Sequence, residues 1–422
     1  MKILQLCKKF PYPLKDGESI AVNSLSKSFH ELGCEITLLA MNTSKHYFDL
    51  RRLPEHFNHY AEIHTTPLDN RVKPLDAFFN LFSKNSYHVT RFESAAFRHK
   101  LIALLQTQQF DLIQLETLYL APYIPLIRQY SDAIIAMRAH NVEHEIWERI
   151  TENTKFLPKK WYLQHLTKKL KHYEIRQFSQ YDILLPISER DLAAYRKLGY
   201  KGKAVVTPIG INANDYKPDY RSFKNELSLG FIGSLDWMPN QEGLKWFLDN
   251  VWTELNRRFP ALKFHIAGRN TPDWIKQLRI PNIMVHGEVP NAAAFINNHT
   301  MMIVPLFSGS GMRVKILEGM ALGRVVLTTS LGLEGIHAQH QKEVVIADTP
   351  DDFVNVIARC LENPLLLHQI SHRARAFAFQ HYDNREIAIN LLQTYSQLFE
   401  ERFGIKPYLP LWQTPMLSSA SA

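Results

Sequence analysis

The stretch GSGMRVKILEGMALG, from Gly309 to Gly323, combines residue types that suit the binding of an anion. It follows the apolar run MMIVPLF, which is typical of a buried strand. Glycines on either side of a serine allow the backbone to turn sharply and to approach a ligand closely, because glycine has no Cβ. We predict a helix that begins near Met312, whose unpaired N-terminal amides and dipole favour an anion.

Two cations and one carboxylate follow this glycine turn. Arg313 and Lys315 fall in the first turn of the predicted helix, where the helix dipole disfavours positive charge. This placement suggests that a bound anion neutralises them, the alternative being two surface cations on an ordinary helix. Glu318 lies one turn beyond Lys315 on the same face. It is either an exposed partner for Lys315 or an acceptor for sugar hydroxyl groups beside a phosphate-binding turn.

The first half of the chain also carries polar residues where predicted strands end. His140 follows a predicted strand, so it is either a ligand-facing histidine or a buried structural one. Asn141 and Glu143 could orient it or begin a helix. Further candidates at the ends of predicted strands are Gly17, Glu116, Arg138 and Asn141.

The elements that must position these residues form two series of strands alternating with helices, which is typical of parallel α/β sheets covered on both faces. The first series is KILQLC, EITLLA, AEIHTTPL, DLIQLE, AIIAMRA and DILLPIS. The second is LSLGFIGSL, LKFHIAGR, IMVHGEV, MMIVPLF, VVLTTS and EVVIAD. Ligands of open α/β sheets bind beyond the carboxyl ends of the strands. We therefore expect two doubly wound domains, joined near residues 205–220, with a ligand in the cleft between them.

Composition and charge narrow the class of protein. The chain has 422 residues, of which 45% are apolar and 21% charged, as in soluble globular proteins. Three widely spaced cysteines and an N-terminus that does not resemble a signal peptide predict a reduced, cytoplasmic protein. The net charge of +8 favours an anionic partner. Aromatic residues do not interleave with a basic stripe, so nucleic acid is not expected.

Several familiar chemistries lack their sequence signals. The sequence contains no Walker loop and no G-x-G-x-x-G fingerprint after the first strand, which argues against a standard NAD enzyme. It has no G-x-S-x-G elbow of a hydrolase. Without an Asp-x-Asp pair or a Cys/His cluster, we predict neither a metal nor another cofactor.

Residues 155–176, KFLPKKWYLQHLTKKLKHYEIR, predict a helix with many lysines. The simpler interpretation is a helix whose apolar face is packed and whose lysines are solvated. The alternative is contact with an anionic membrane at its inner face.

In order along the chain, the segments of the second half resemble the C-terminal domain of the family-4 glycosyltransferases. They are FIGSLDWMPNQEGLKWF, FHIAGR, VHGEVPN, VPLFSGSGMRVKILEGMALGRVVLTTSLGLEGI and the helical segment from about residue 365 to 402. The first half resembles the family more loosely, through Gly17, RAHNVEHE and LLPISERDLAAY. The resemblance implies the α/β GT-B fold, in which two Rossmann-like domains face each other and a C-terminal helix crosses back to the N-terminal domain.

The same resemblance implies domain bounds and an activity. Residues 1–207 would form the acceptor domain, 208–380 the nucleotide-sugar domain, 381–403 the returning helix and 404–422 a tail. The implied reaction is metal-independent transfer, with retention of configuration, of a sugar from a nucleoside diphosphate to a glycan, lipid-linked or small-molecule acceptor. A sugar-nucleotide epimerase or hydrolase of this fold, or a non-catalytic sugar-nucleotide binding protein, remains an alternative.

Site residues are carried over by motif. Glu318 matches the second glutamate of the family's Glu-x7-Glu motif, which typically holds the donor ribose, while Ser310 stands where the first glutamate would be. The turn GSLDWMPN lacks the family's usual basic pair. The remaining expected donor contacts are Arg313, Lys315 and Arg269 for the diphosphate, Gly287 and Val289 for the base, and Ser234 and Gly311.

His140 resembles the histidine of the N-terminal domain that approaches the donor sugar. We expect catalytic roles for His140, Arg313, Lys315 and Glu318. The acceptor contacts expected in the N-terminal domain are Gly17, Glu116, Arg138 and Asn141.

Overall fold

Two parallel β-sheets organise the chain, each within its own unit. The computed structural model describes residues 1–14, 16–55, 57–72, 79–81, 83, 86–224, 227–309, 311–405 and 407. The first unit comprises Met1–Thr207 and the chain from Arg385 onward, and the second comprises Pro208–Asn384. Ser310 and most of the predicted tail, residues 406 and 408–422, lie outside the described residues.

The strand order places the first strand of each unit in the interior of its sheet. In the first unit the order of the seven strands is β3-β2-β1-β4-β5-β6-β7, and in the second the order of the six strands is β10-β9-β8-β11-β12-β13. The first sheet contains β1 Lys2–Cys7, β2 Glu35–Thr43, β3 Glu62–Leu68, β4 Leu112–Leu115, β5 Ile134–Ala139, β6 Ile183–Pro186 and β7 Lys203–Ala204. The second contains β8 Ser228–Ile232, β9 Lys263–Ala267, β10 Ile283–Gly287, β11 Met301–Val304, β12 Val325–Thr328 and β13 Val345–Ile346. All neighbouring strands pair in parallel.

Helices connect the strands. In the first unit they are α1 Gly17–Glu31, α2 Tyr87–Thr90, α3 Ala95–Thr107, α4 Ile124–Tyr130, α5 Glu143–Glu152, α6 Leu157–Arg176 and α7 Glu189–Lys197. In the second unit they are α8 Met238–Phe247, α9 Thr253–Arg258, α10 Asp273–Lys276, α11 Ala292–Asn297, α12 Val314–Ala321, α13 Pro350–Glu362 and α14 Pro364–Tyr382. The last described helix is α15, Asn384–Phe403.

Alternation along the strands divides the core of the first unit between the two faces of its sheet. Leu4 and Leu6 pack on one face, and Ile3 packs on the other, because successive side chains of a strand point to opposite faces. Leu391 and Tyr395 of α15 join the cluster that contains Ile3. The last helix therefore completes the core of the first unit, and the predicted GT-B architecture with its returning helix is confirmed.

Some element boundaries differ from those predicted. The helix expected near Met312 begins at Val314, with Arg313 at its N-cap. The helix expected over residues 241–258 is α8, a π-helical turn at Leu248–Trp252 and α9. The final helical segment is divided by Asp383, whose extended backbone separates α14 from α15. Strand β7 has only two residues and was not predicted.

Candidate functional site

The turn between β11 and α12 adopts a conformation that its glycines make possible. Gly309 has φ +96° and Gly311 has φ +82°, values that side chains with a Cβ rarely adopt. A Cβ on Gly309 would lie 3.0 Å from the ring of Trp237. A larger residue at Gly309 would therefore strain the backbone and displace the tryptophan.

Arg313 lies at the start of α12 and is directed towards this turn. Its side chain is almost buried, and Nη1 donates a hydrogen bond to the carbonyl oxygen of Gly311. The guanidinium carbon is 6.0 Å from the centroid of the Trp237 ring. No side chain of the described residues caps the N-terminus of α12, so a guanidinium group and uncapped amides occur together beside the glycine turn.

Lys315 is held by neutral groups. Its Nζ donates to Oδ1 of Asn240 at 2.7 Å and to the carbonyl oxygen of Ile232 at 3.3 Å. Burial, and next the nearby charge of Arg313, lower the pKa of Lys315 to about 7. A bound anion would favour the protonated amine. The affinity of the site for an anion can therefore increase as Lys315 becomes protonated.

Asn240 was not identified from the sequence. It is buried in the first turn of α8, and its Nδ2 donates to the carbonyl oxygen of Ser234 at 2.8 Å. Since its Oδ1 accepts from Lys315, the amide joins the turn after β8 to α12. In the sequence, the proline and asparagine in the first turn of α8 indicate only the start of a helix. No local signal therefore predicted the contact of Asn240 with Lys315.

Ser234 and Arg269 are brought together at the neighbouring strand ends. Nε of Arg269 donates to Oγ of Ser234 at 2.6 Å, and Oγ of Ser234 donates to Oδ1 of Asp236 at 2.5 Å. The strands approach closely here, since a Cβ on Gly268 would lie 2.1 Å from the carbonyl oxygen of Gly233. Both predicted donor contacts thus follow adjacent strands, β8 and β9.

Glu318 receives a hydrogen bond from a residue distant in the sequence. The hydroxyl group of Tyr216 donates to Oε1 of Glu318 at 3.1 Å. Burial raises the pKa of Glu318. The sequence suggested Lys315 as a partner for Glu318. In the described structure the hydrogen bond to Glu318 comes from Tyr216.

The predicted residues of the second unit follow adjacent strands along one edge of the sheet. Gly287, with φ +69°, ends β10 and accepts a hydrogen bond from the amide of Gly268 at 2.7 Å. Val289 follows it and is half-buried. In the order β10-β9-β8-β11, the carboxyl ends carry in turn Gly287 and Val289, Arg269, Ser234, and the glycine turn with Arg313. This is the edge at which open α/β sheets bind ligands.

In the first unit, Glu116 orients His140. Nε2 of His140 lies 3.0 Å from Oε2 of Glu116. Oε1 of the same carboxylate accepts hydrogen bonds from Gln5 and Gln114 at 2.6 Å each. Burial alone would raise the pKa of Glu116, but Arg138 at 3.6 Å and the hydrogen bonds outweigh it and hold the pKa to about 2. Glu116 is therefore an ionised, buried partner for His140.

This arrangement corrects the expected roles of Glu116 and Arg138. Both side chains are 1% exposed, and Nη1 of Arg138 donates to the carbonyl oxygen of Ala21 at 3.1 Å. Because the side chains of Glu116 and Arg138 are buried, they support His140 and are not accessible for contact with an acceptor. Nδ1 of His140 is buried and has no hydrogen-bond partner among the described residues, so it is the nitrogen left to meet a ligand.

Asn141 and Glu143 do not orient His140. The backbone oxygen of Asn141 lies 3.1 Å from the hydroxyl oxygen of Tyr195. The carboxylate of Glu143 accepts a hydrogen bond from the hydroxyl group of Tyr119 at 2.7 Å. Burial raises the pKa of Glu143 to about 7. Both residues serve the start of α5, and Glu116 has the orienting position.

Gly17 begins α1 beside a charged cluster that the sequence did not single out. Asp16 caps α1 through the amide of Ser19 at 3.0 Å and accepts from Nζ of Lys9 at 2.7 Å. Lys8 forms an ion pair with Glu18 at 3.1 Å. The loop after β1 thus places two lysines and two carboxylates near the carboxyl end of β1.

Among the described residues, no group of three His, Cys, Asp or Glu side chains is arranged to hold a metal ion. Every helix in the described part of the chain is too short or too polar to cross a lipid bilayer.

Comparison with known proteins gives a family match within the second unit. Residues 226–363 match the family described as "Glycosyl transferases group 1". Over 275 residues the chain is 24% identical to a Klebsiella pneumoniae protein described as "Uncharacterized 44.6 kDa protein in cps region", a match that covers 63% of this chain and 67% of that protein.

Solved structures show the same fold over nearly the whole chain. Sucrose-phosphate synthase from Thermosynechococcus elongatus matches with a TM-score of 0.69 and 14% identity, over 95% of this chain and 100% of that one. Anabaena Alr3699/HepE, solved in complex with UDP-glucose, matches with a TM-score of 0.66 and 15% identity, over 94% of this chain and 100% of that one. The two units have the GT-B fold. Residues 226–363, within the second unit, are similar to the group 1 glycosyltransferases.

Proposed function

We propose that the protein transfers a sugar from a nucleoside-diphosphate sugar, with retention of configuration and without a metal ion, to a glycan, lipid-linked or small-molecule acceptor. The observation that carries the proposal is the start of α12, where Arg313 and uncapped amides lie beside the glycine turn and Lys315 reaches the end of β8. The match of this segment to the group 1 glycosyltransferases supports it.

These groups suit the departure of a nucleoside diphosphate. As the glycosidic bond breaks, negative charge grows on the β-phosphate. Fixed amides and two cations stabilise that charge more in the transition state than in the ground state, because they are already oriented and partly shielded from water. Arg313 and Lys315 would supply the positive charge that some transferases take from a metal ion.

The remaining site residues have separate proposed tasks. Glu318 would accept hydrogen bonds from the donor ribose, and Tyr216 would fix the position of its carboxylate. His140, oriented by Glu116, would contact the transferred sugar through Nδ1. Because Alr3699/HepE was solved with UDP-glucose, UDP-sugars are the first donors to test. Contact with an anionic membrane stays a prediction from the sequence.

The test is to incubate the full chain with UDP-sugars and a panel of acceptors, and to read the anomeric configuration of the product by NMR. Arg313→Ala should lower kcat about a hundredfold, the order expected for the loss of one preorganised charge-stabilising donor. Arg257→Ala is the matched control, because Arg257 is exposed on α9 and contacts Glu254.

Three results would contradict the proposal. Near-normal turnover of Arg313→Ala would exclude the diphosphate role. An altered or hydrolysed sugar without any need for an acceptor would indicate an epimerase or hydrolase. Tight binding of UDP-sugars without turnover across the panel would indicate a non-catalytic binding protein.

A further inference from the structure

Three large apolar side chains are exposed at the junction of α5 and α6. Phe156, Leu157 and Trp161 are 67%, 76% and 63% exposed. Leu157 is the first residue of α6, and Trp161 lies one turn later on the same face. We call residues 155–161 the α6 tip. Adjacent exposed apolar side chains of this size indicate a surface that interacts with a partner or a membrane.

The exposed face of the tip is distinct from the face that packs against the first unit. Leu163, Leu166 and Leu170 of α6 are buried, and they form the seam expected of an amphipathic helix. Since this seam already anchors the helix, the exposed residues of the tip are not needed for the core.

The tip is also basic. Lys155 and Lys159 are exposed and Lys160 is half-buried, and in the described structure none of the three forms an ion pair with a carboxylate. Nζ of Lys160 instead lies 3.3 Å from the backbone oxygen of Glu152. Positive charge is therefore available on the same short segment as the exposed apolar side chains.

Two of the later lysines of α6, Lys169 and Lys171, have partners within the unit. Nζ of Lys169 donates to the backbone oxygens of Asn80 and Leu81 at 2.6 and 3.0 Å. Lys171 pairs with Glu148 at 3.7 Å. The tip is therefore the part of residues 155–176 that combines strongly exposed apolar side chains with lysines that form no ion pair in the described structure.

We propose that the α6 tip docks the protein on an anionic lipid bilayer, with Phe156, Leu157 and Trp161 entering the headgroup region and the lysines contacting lipid phosphates. Tryptophan favours the membrane–water interface, and a lysine stem lies along apolar surface while its amine reaches polar groups. Lysines add electrostatic attraction to an anionic leaflet. The surface thus combines apolar insertion with charge, the two contributions that hold peripheral helices on membranes.

The test is sedimentation of the full chain with vesicles of phosphatidylcholine alone or mixed with phosphatidylglycerol, without donor or acceptor. We expect binding to the mixed vesicles that weakens as salt is added. The variants Phe156→Ser/Leu157→Ser/Trp161→Ser and Lys155→Gln/Lys159→Gln/Lys160→Gln should each lower the partition coefficient by about tenfold or more, given the contribution of each basic residue near an anionic surface.

Matched controls separate the tip from general surface effects. Leu365→Ser changes an exposed apolar residue of the second unit that is 68% exposed, and Lys197→Gln/Lys201→Gln changes two exposed lysines of the first unit. Both controls should bind mixed vesicles as the unmodified chain does, and thermal unfolding should show all variants folded.

Equal binding to both kinds of vesicle, or unchanged binding of both tip variants, would overturn the proposal. So would concentration-dependent self-association that the apolar variant abolishes, because it would assign the tip to a second copy of the chain. A second readout is quenching of tryptophan fluorescence by brominated lipids, which Trp161→Phe should largely remove. The proposed transferase activity does not enter either measurement.

Discussion

Lys315 donates its hydrogen bonds to a neutral amide and a backbone carbonyl instead of to a carboxylate. Burial, and next the nearby charge of Arg313, lower the pKa of Lys315 to about 7. A diphosphate bound at the start of α12 would favour the charged amine, so binding of the donor and protonation of Lys315 should be linked.

The direction of this linkage gives a prediction at the residue scale. Above about pH 7 the fraction of free protein with a protonated Lys315 falls, so the affinity for a UDP-sugar should weaken, by up to about tenfold per pH unit. Isothermal titration at several pH values measures this slope. Lys315→Arg keeps a charged side chain at all these pH values and should flatten the profile. A profile that is already flat in the unmodified chain would contradict the role of Lys315.

At the scale of elements, α6 supports α5 through one buried carboxylate. Oε1 of Glu174 accepts from the amide of Glu143 at 3.2 Å, and Oε2 lies 2.6 Å from Nδ1 of His144. The hydroxyl group of Tyr195 also donates to Glu174, at 2.8 Å. Because α5 follows directly on the segment that contains His140, this carboxylate fixes the helix that begins beside the candidate site.

We predict that Glu174→Ala lowers the free energy of unfolding of the first unit by about 3 kcal/mol, since it leaves buried donors and a buried histidine without their partner. Chemical denaturation followed by circular dichroism measures the loss. The control is Glu148→Ala, which removes a carboxylate of α5 whose ion pair with Lys171 is partly exposed. It should lower the free energy of unfolding by less than about 1 kcal/mol. Equal effects of the two variants would show that the buried network adds nothing.

At the scale of the whole molecule, the chain passes from the first unit to the second after Thr207 and returns after Asn384. The returning helix α15 places Leu392 and Tyr395, both fully buried, in the core of the first unit. Tyr395 also donates a hydrogen bond to Gln114, whose amide donates to Glu116. The end of the chain is thus connected to the carboxylate that orients His140.

Leu392→Ala should therefore destabilise the first unit by about 2–5 kcal/mol, the range for truncating a buried leucine. Hydrogen exchange read by mass spectrometry should show lost protection in β1, β4 and β5, while strands β8 to β13 keep theirs. The adjacent Gln393 is exposed, and Gln393→Ala should change neither unit by more than about 0.5 kcal/mol. Equal loss of protection in both sheets would contradict assignment of α15 to the first unit.

Local sequence patterns were enough to predict the two series of strands, the glycine turn and the placement of two cations and a carboxylate at the start of α12. These features are local: apolar runs, glycines and charge spacing act within a few residues, so they remain visible along the chain. The family resemblance rests on the same local motifs. It indicated the fold, although the helix near Met312 starts two residues later than expected.

Tertiary structure decided which groups hold those residues in place. Asn240 meets Lys315, Tyr216 meets Glu318, and Glu116 meets His140, all across separations that no helical or strand period connects. The enclosure of Arg138 and the exposure of Trp161 were likewise settled by packing. A side chain's burial and partners depend on the strands and helices that surround it, and parallel sheets bring together segments distant in the chain.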